Sequence, residues 1–409
     1  MKKNLWIFAA AAVALAACSN DDTISENIGF DDASAISFRA FTNNMTRAAD
    51  AHFNVADDAF KVSAFTAGET SAAEAYFTNV VFSTEDGTTF KAENKYYWPN
   101  TKNLDFYAWA PSSLTASENN FDGITVSPGT TIGSQPDFVY GVTKGWGTYG
   151  TPTHDGKPGV TLNFRHAESK VVIKIKNSNE DLVFTVGNVA IGNLRGTETF
   201  TWNGVTDGTT PTAAATANTD GQYTSGTLTY LNGTWTATSA QTSAYTVAMG
   251  TDDFDDVTEG TQARNVFSGE VATARELTST AANHEMILIP QTLNAQTTYK
   301  GGDGDDKNNF IGAYITAQLK IQQKSNDAYV AGAADTYVTA MWPLTAATWL
   351  PGHKYTYTVD LAGGGYFTTN QDDDAALDPI LDGAEIKFVT VTVDAWGDGG
   401  NTNVAGPTE

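Results

Sequence analysis

Short runs in which apolar and polar side chains alternate recur along the whole chain, and no segment repeats apolar residues at the spacing of an amphipathic helix of useful length. Phe60-Lys61-Val62-Ser63-Ala64-Phe65, Leu104-Asp105-Phe106-Tyr107-Ala108, Val171-Val172-Ile173-Lys174-Ile175-Lys176, Lys354 to Leu361 and Lys387 to Asp394 are such runs. Glu285 to Pro290 and Ala313 to Ile321 are further strands. A strand with one apolar face must lay that face on another sheet, so many short strands separated by turn signals predict an all-β chain built of sandwiches. Pro99 and Pro111 close their runs, as expected where a strand stops donating hydrogen bonds. Aromatic residues at 11%, 37 glycines and only 5 methionines suit pleated, half-buried strands.

The 409 residues exceed one ordinary domain. The stretch from Gly141 to Gly159 is rich in Gly, Pro, Thr and Lys and reads as a linker. The expected division is an N-terminal β-sandwich over 48–160 and a C-terminal one over 161–409. The Thr- and Ala-rich stretch from Thr206 to Thr246 reads as long surface hairpins.

A net charge of −24 repels phosphate backbones and anionic lipid, so nucleic acid is excluded as a partner and any membrane attachment is covalent or hydrophobic. The single cysteine, Cys18, permits no intramolecular disulfide, so core burial and sheet pairing must hold the fold.

Residues 1–17 read as an export signal: Lys2 and Lys3 start it, Leu5 to Ala14 form its apolar centre, and Leu15-Ala16-Ala17 its small-residue exit. The apolar centre is shorter than the roughly 20 residues that span a bilayer. Leu15-Ala16-Ala17-Cys18 resembles the lipobox of bacterial lipoproteins, which implies a diacylglyceryl group on the Cys18 thiol and an anchor in the outer membrane. One acyl chain holds only marginally, so a durable anchor takes two or more. Ser19-Asn20-Asp21-Asp22 is similar to acidic tetrads that direct lipoproteins to the cell surface; an ordinary acidic tether reads the same way.

The leader, 18–47, is polar except for Ile36-Ser37-Phe38-Arg39-Ala40-Phe41, whose alternation marks a strand. No catalytic, cofactor or metal site is expected. Gly301 to Asn308 lacks the glycine and terminal glutamate of a calcium loop and reads as an acidic turn, as do Asp252 to Asp256 and Asp372 to Asp374. The five histidines are scattered, and His284-Glu285 does not continue into a zinc motif. Trp146 and Trp202 could stack on sugars if exposed, although tryptophan in a sandwich is usually core.

The lipobox, the strand-like run ahead of Thr46-Arg47-Ala48, Tyr97-Trp98-Pro99 with Leu104 to Ala108, Phe164-Arg165-His166-Ala167, and Pro351-Gly352-His353-Lys354-Tyr355 together resemble the fimbrillin family, the lipoprotein-precursor subunits of type V pili. The resemblance implies two transthyretin-like sandwiches in tandem and a removable leader strand containing Ile36, Phe38 and Phe41. It also implies an arginine-specific protease cutting after Arg47, since Arg39 lies inside the strand. Assembly with other pilus subunits would follow by β-strand addition, with Val389, Val391 and Val393 on one face of a donor strand. The alternative is that this strand belongs permanently to its own C-terminal sandwich. The implied function is a structural pilus subunit or adhesin at the cell surface, meeting a host or bacterial ligand. A surface lipoprotein that binds glycans without polymerising is the rival.

Overall fold

The computed structural model of the chain describes residues 35–42, 59–69, 74–85, 89–99, 102–116, 123–132, 135–146, 159–201, 234–250, 253–256, 260–277, 285–295, 312–368, 378–383, 385–386 and 389–395. Strands and turns dominate them and no α-helix occurs among the described residues, as the alternation predicts.

The first sheet runs in the order Phe38–Thr42, Val160–His166, Val139–Trp146, Leu104–Ala110, Ala59–Thr66, Ala75–Ser83, Lys91–Ala92. The strand Phe38–Thr42 pairs parallel with Val160–His166, in register from Phe38 opposite Val160 to Thr42 opposite Phe164. Its other side meets the far end of the same sheet through an antiparallel bridge between Phe38 and Phe90, the residue before Lys91–Ala92. The sheet therefore curls on itself, and residues 35–42 close it.

Both faces of this sheet are covered. Inside the curl lie Phe60, Val62, Phe82, Phe106, Ala108 and Phe164. On the opposite face Phe65, Tyr107, Trp109 and Tyr140 pack against Ile124, Val126 and Phe200 of a small three-stranded sheet, Thr234–Trp235, Glu198–Thr201 and Ile124–Val126. All seven residues of Leu104–Ala110 are consequently buried, where alternation alone suggested one wet face.

The second sheet runs Gln241–Thr246, Leu182–Arg195, Tyr314–Gln323, Val338–Pro343, Tyr366–Phe367, and the third runs Val271–Glu276, Ser169–Asn177, His353–Asp360, Thr390–Ala395. They share one core: Phe184, Ile191, Ile315 and Trp342 from the former meet Val171, Ile173, Tyr357 and Val359 from the latter. The 14-residue strand Leu182–Arg195 is the spine of the second sheet, and its alternation changes parity midway. Phe184 and Val186 point inward, then Val189 and Ile191, because the ladder to Tyr314–Gln323 shifts register between Val186 and Val189.

Val160–His166, placed at the seam between the two expected sandwiches, is hydrogen-bonded in the first sheet. The chain enters the third sheet at Ser169, so the handover is Ala167-Glu168. Backbone and side-chain bonds pin it from several sides. The Trp235 indole N–H donates to the Ala167 carbonyl at 2.7 Å and the Gly352 N–H to the Glu168 carbonyl at 2.8 Å. The Ser169 hydroxyl donates to the Leu350 carbonyl at 3.0 Å.

Candidate functional site

The site with the clearest construction is the slot that holds residues 35–42. Alternation along the strand sends even-numbered side chains inward: Ile36 is 3% exposed, Phe38 0% and Ala40 8%. Phe38 is the centre of a ring cluster. Its centroid lies 4.7 Å from Phe82, 5.1 Å from Phe106 and 6.1 Å from Phe60, each edge-to-face. Such contacts add about 0.5–1.5 kcal/mol per pair to the burial itself.

The backbone is held from both sides. Ile36 N–H donates to the Tyr96 carbonyl at 2.7 Å, and Phe38 exchanges two bonds with Phe90, at 3.0 and 2.8 Å. On the other flank the Val160 N–H donates to the Ser37 carbonyl at 2.7 Å. Gly159, just before Val160, has φ +93°, and a Cβ there would stand 3.3 Å from both the Ser37 carbonyl and its hydroxyl. Only glycine combines that backbone with so close an approach to the strand.

Of the residues singled out from sequence, Ile36 and Phe38 line this slot, and Phe41 stands in the strand opposite Asn163. Cys18 and Arg47 lie outside the described residues. Val389 adjoins, and Val391 and Val393 belong to, the edge strand Thr390–Ala395, which pairs antiparallel with His353–Asp360; all three valines pack against the core of its own sheet pair. Trp146 is 8% exposed, so it serves the inner core of the first sheet and offers no platform for a sugar. Trp202 lies outside the described residues. His166 bonds Asp137 through Nδ1 at 2.9 Å, and His353 Nδ1 meets the Pro351 carbonyl at 2.9 Å. Among the described residues no group of three or more His, Cys, Asp or Glu side chains could hold a metal ion, and no helix is long and apolar enough to cross a membrane. Sequence reasoning did not find Phe90, Tyr96 and Gly159, which form the slot's walls from distant parts of the chain.

Two buried carboxylates, Glu168 and Glu198, and the half-buried Glu285 show how polar groups are handled elsewhere. Burial works to raise the Glu285 carboxyl, but the ammonium groups of Lys170, 2.6 Å away, and Lys354 outweigh it and hold it below the usual range. Glu198 is likewise held low against burial by Ser239, Thr236 and Thr238 donors. Glu168 has no such rescue. Burial pushes it up to about 8, the Phe138 N–H at 2.9 Å offsets part of that, and neighbouring Asp137 adds to it.

Among the described residues the chain is all-β, and its first sheet is completed by a strand from its own N-terminal side, which makes the strand slot the most fully built site. The profile of the fimbrillin-like family matches residues 46–396, and the chain belongs to that family. Among solved structures, a fimbrial protein from Bacteroides vulgatus aligns with a TM-score of 0.51 at 14% identity, over 88% of this chain and 99% of that one, and shares its fold. A proposed cell adhesion protein from Bacteroides uniformis aligns at 0.42 and 17% identity, over 89% and 99% of the two chains. The tip fimbrial protein Mfa3 from Porphyromonas gingivalis aligns at 0.33 and 10% identity, over 88% and 98%. No curated protein matches.

Proposed function

We propose that this chain is a non-enzymatic structural subunit or adhesin of a cell-surface pilus. In this reading it is exported as a lipoprotein anchored through Cys18, cut by an arginine-specific protease after Arg47, and joined to other subunits by β-strand addition, with the C-terminal strand carrying Val389, Val391 and Val393 as the donor segment. Its two sheet assemblies would then act as tandem sandwiches along the fibre. The observation that carries the proposal is the seating of residues 35–42 inside the first sheet of a fimbrillin-like chain. Removing that segment would leave unpaired backbone on Val160–Phe164 and on Phe90 and Tyr96, beside an open aromatic core, a state that favours capture of another strand.

Digestion of the full chain with an arginine-specific protease tests it. The expected product begins at Ala48 and forms heat-sensitive oligomers, while Arg47→Ala remains uncut there and monomeric. A product that stays monodisperse at high concentration goes against assembly. In cells, a fatty-acid label should tag the wild type and miss Cys18→Ala; equal labelling of the two would remove the lipid anchor from the proposal.

A further inference from the structure

The strands that wall the slot have a second face, and a distant part of the chain holds it. Leu104–Ala110 sends Phe106 and Ala108 into the curl and Tyr107 and Trp109 out of it. Ala59–Thr66 and Val139–Trp146 divide in the same way, with Phe60 and Val139 inside and Phe65 and Tyr140 outside. Phe200 and Trp235 pack against the outer residues. Both belong to an arm of the second sheet. The chain leaves Leu182–Arg195, forms Glu198–Thr201, returns through Thr234–Trp235 and enters Gln241–Thr246, the strand beside Leu182–Arg195.

The arm grips the first sheet by rings, by backbone and by hydroxyls. The fully buried Phe200 ring lies 4.6 Å from Tyr140 and 5.1 Å from Phe138, and the Trp235 ring stands 5.4 Å from Phe200. Glu198–Thr201 pairs antiparallel with Ile124–Val126, from Glu198 opposite Val126 to Phe200 opposite Ile124. The Thr125 and Thr199 hydroxyls meet at 3.1 Å, and those of Ser127 and Thr197 at 2.7 Å. Gly123 has φ +134°, and a Cβ there would stand 2.2 Å from the Phe200 carbonyl, so only glycine lets the two strands approach. At the base of the arm the Glu198 carboxylate accepts the Ser239 N–H at 2.8 Å and the Thr236 hydroxyl at 2.9 Å, which ties the outgoing strand to the returning one.

We propose that this arm is a clasp that keeps the slot-lining strands folded while residues 35–42 are absent. The inference rests on the removable-leader reading and adds what becomes of the emptied sheet. A sheet of several strands stands when one apolar face is covered. Loss of residues 35–42 uncovers the inner rings of Phe60, Phe82 and Phe106. The outer layer, from Phe65, Tyr107, Trp109 and Tyr140 to Phe200, remains buried. Each core thus backs the other through the same strands, and the sheet falls only when both are lost. Phe60 and Phe106 keep their places in the empty slot because their strands stay fixed from the other face.

The full chain is cut with the arginine-specific protease, the protease is inhibited, and amide exchange is followed at a concentration too low for assembly. Cut wild type should keep slow exchange in Leu104–Ala110, and so should uncut Phe200→Ala. Cut Phe200→Ala should exchange there at least roughly a hundredfold faster, the scale of a phenylalanine deleted from a packed core, while Leu182–Arg195 stays protected in every sample. Cut wild type that exchanges as fast as cut Phe200→Ala overturns the clasp, and so does cut Phe200→Ala that is as protected as cut wild type. If uncut Phe200→Ala has already lost its protection, Phe200→Leu, which keeps an apolar side chain, takes its place in the same comparison. If residues 35–42 stay seated after the cut, the removable-leader reading falls, and the clasp is tested in uncut Phe38→Ala, where the strand opens without cleavage. Adding Phe200→Ala to that variant should strip protection from Leu104–Ala110 far beyond the combined effect of the two single changes; a merely additive loss overturns the proposal.

Discussion

Replacing Phe38 by alanine is expected to cost about 3–5 kcal/mol, among the largest losses a single side chain can cause in this protein. The ring is fully buried and touches three other rings, so truncation removes both its transfer free energy and its edge-to-face contacts. The surrounding strands are paired on both flanks and cannot collapse easily into the space. The loss should fall on the closure of the first sheet. Arg39 stands in the paired strand opposite Thr161, and in the wild type a protease reaches that bond only when the strand opens. In Phe38→Ala, cleavage after Arg39 should accelerate by roughly a hundredfold or more, the opening equilibrium being shifted by the whole cost. Amide exchange at Phe90 and Val160 should rise in parallel, while amides in Leu182–Arg195 keep their protection. A variant that resists cleavage like the wild type would mean that residues 35–42 contribute little to holding the sheet shut.

What the sequence made legible divides along a physical line. Ile36 to Phe41 stood out because alternation is a local property, and a strand pattern set in a polar leader contrasts with the residues on either side of it. Its partners did not, since the parallel neighbour Val160–His166 lies far along the chain and Phe90 and Tyr96 approach only after the sheet curls. The spine Leu182–Arg195 escaped for a different reason: the register shift between Val186 and Val189 breaks the period on which strand reading depends. In Leu104–Ala110 the period was intact but incomplete as a guide, because whether the second face is wet depends on a small sheet assembled from three distant segments. The slot's inward residues were therefore readable, and its walls were not.

The handover Ala167-Glu168 lay wholly beyond sequence reading, and it yields the second large effect. Between His166 and Ser169 nothing in the residue types marks Glu168 as buried, yet it is 0% exposed, its Oε2 accepts the Phe138 N–H, and its Oε1 has no hydrogen-bond partner. The groups acting on it are Phe138 N–H, Asp137 and, on the second sheet, Tyr245, whose phenol is itself pushed up to about 12 by burial and by Glu168. With the folded carboxyl raised to about 8 from an ordinary 4.5, folded and unfolded chains are both protonated below pH 4.5 and there is no penalty. As pH rises above 4.5 the unfolded chain ionises first, so stability is lost at about 1.4 kcal/mol per pH unit until the folded carboxyl titrates near 8, after which the loss is constant. At pH 7 the penalty is about 3 kcal/mol. Glu168→Gln keeps an oxygen for the Phe138 N–H and removes the ionisation. It should therefore be more stable than the wild type by about 2–3 kcal/mol at pH 7, and the two should converge near pH 4.5. Denaturant titrations of both proteins from pH 4.5 to 8.5 check this, since subtracting one curve from the other cancels the repulsion of the acidic surface and isolates Glu168. A difference that does not change with pH would mean that the Glu168 carboxyl titrates alike in the folded and unfolded chains; convergence at low pH means that it is buried as the neutral acid.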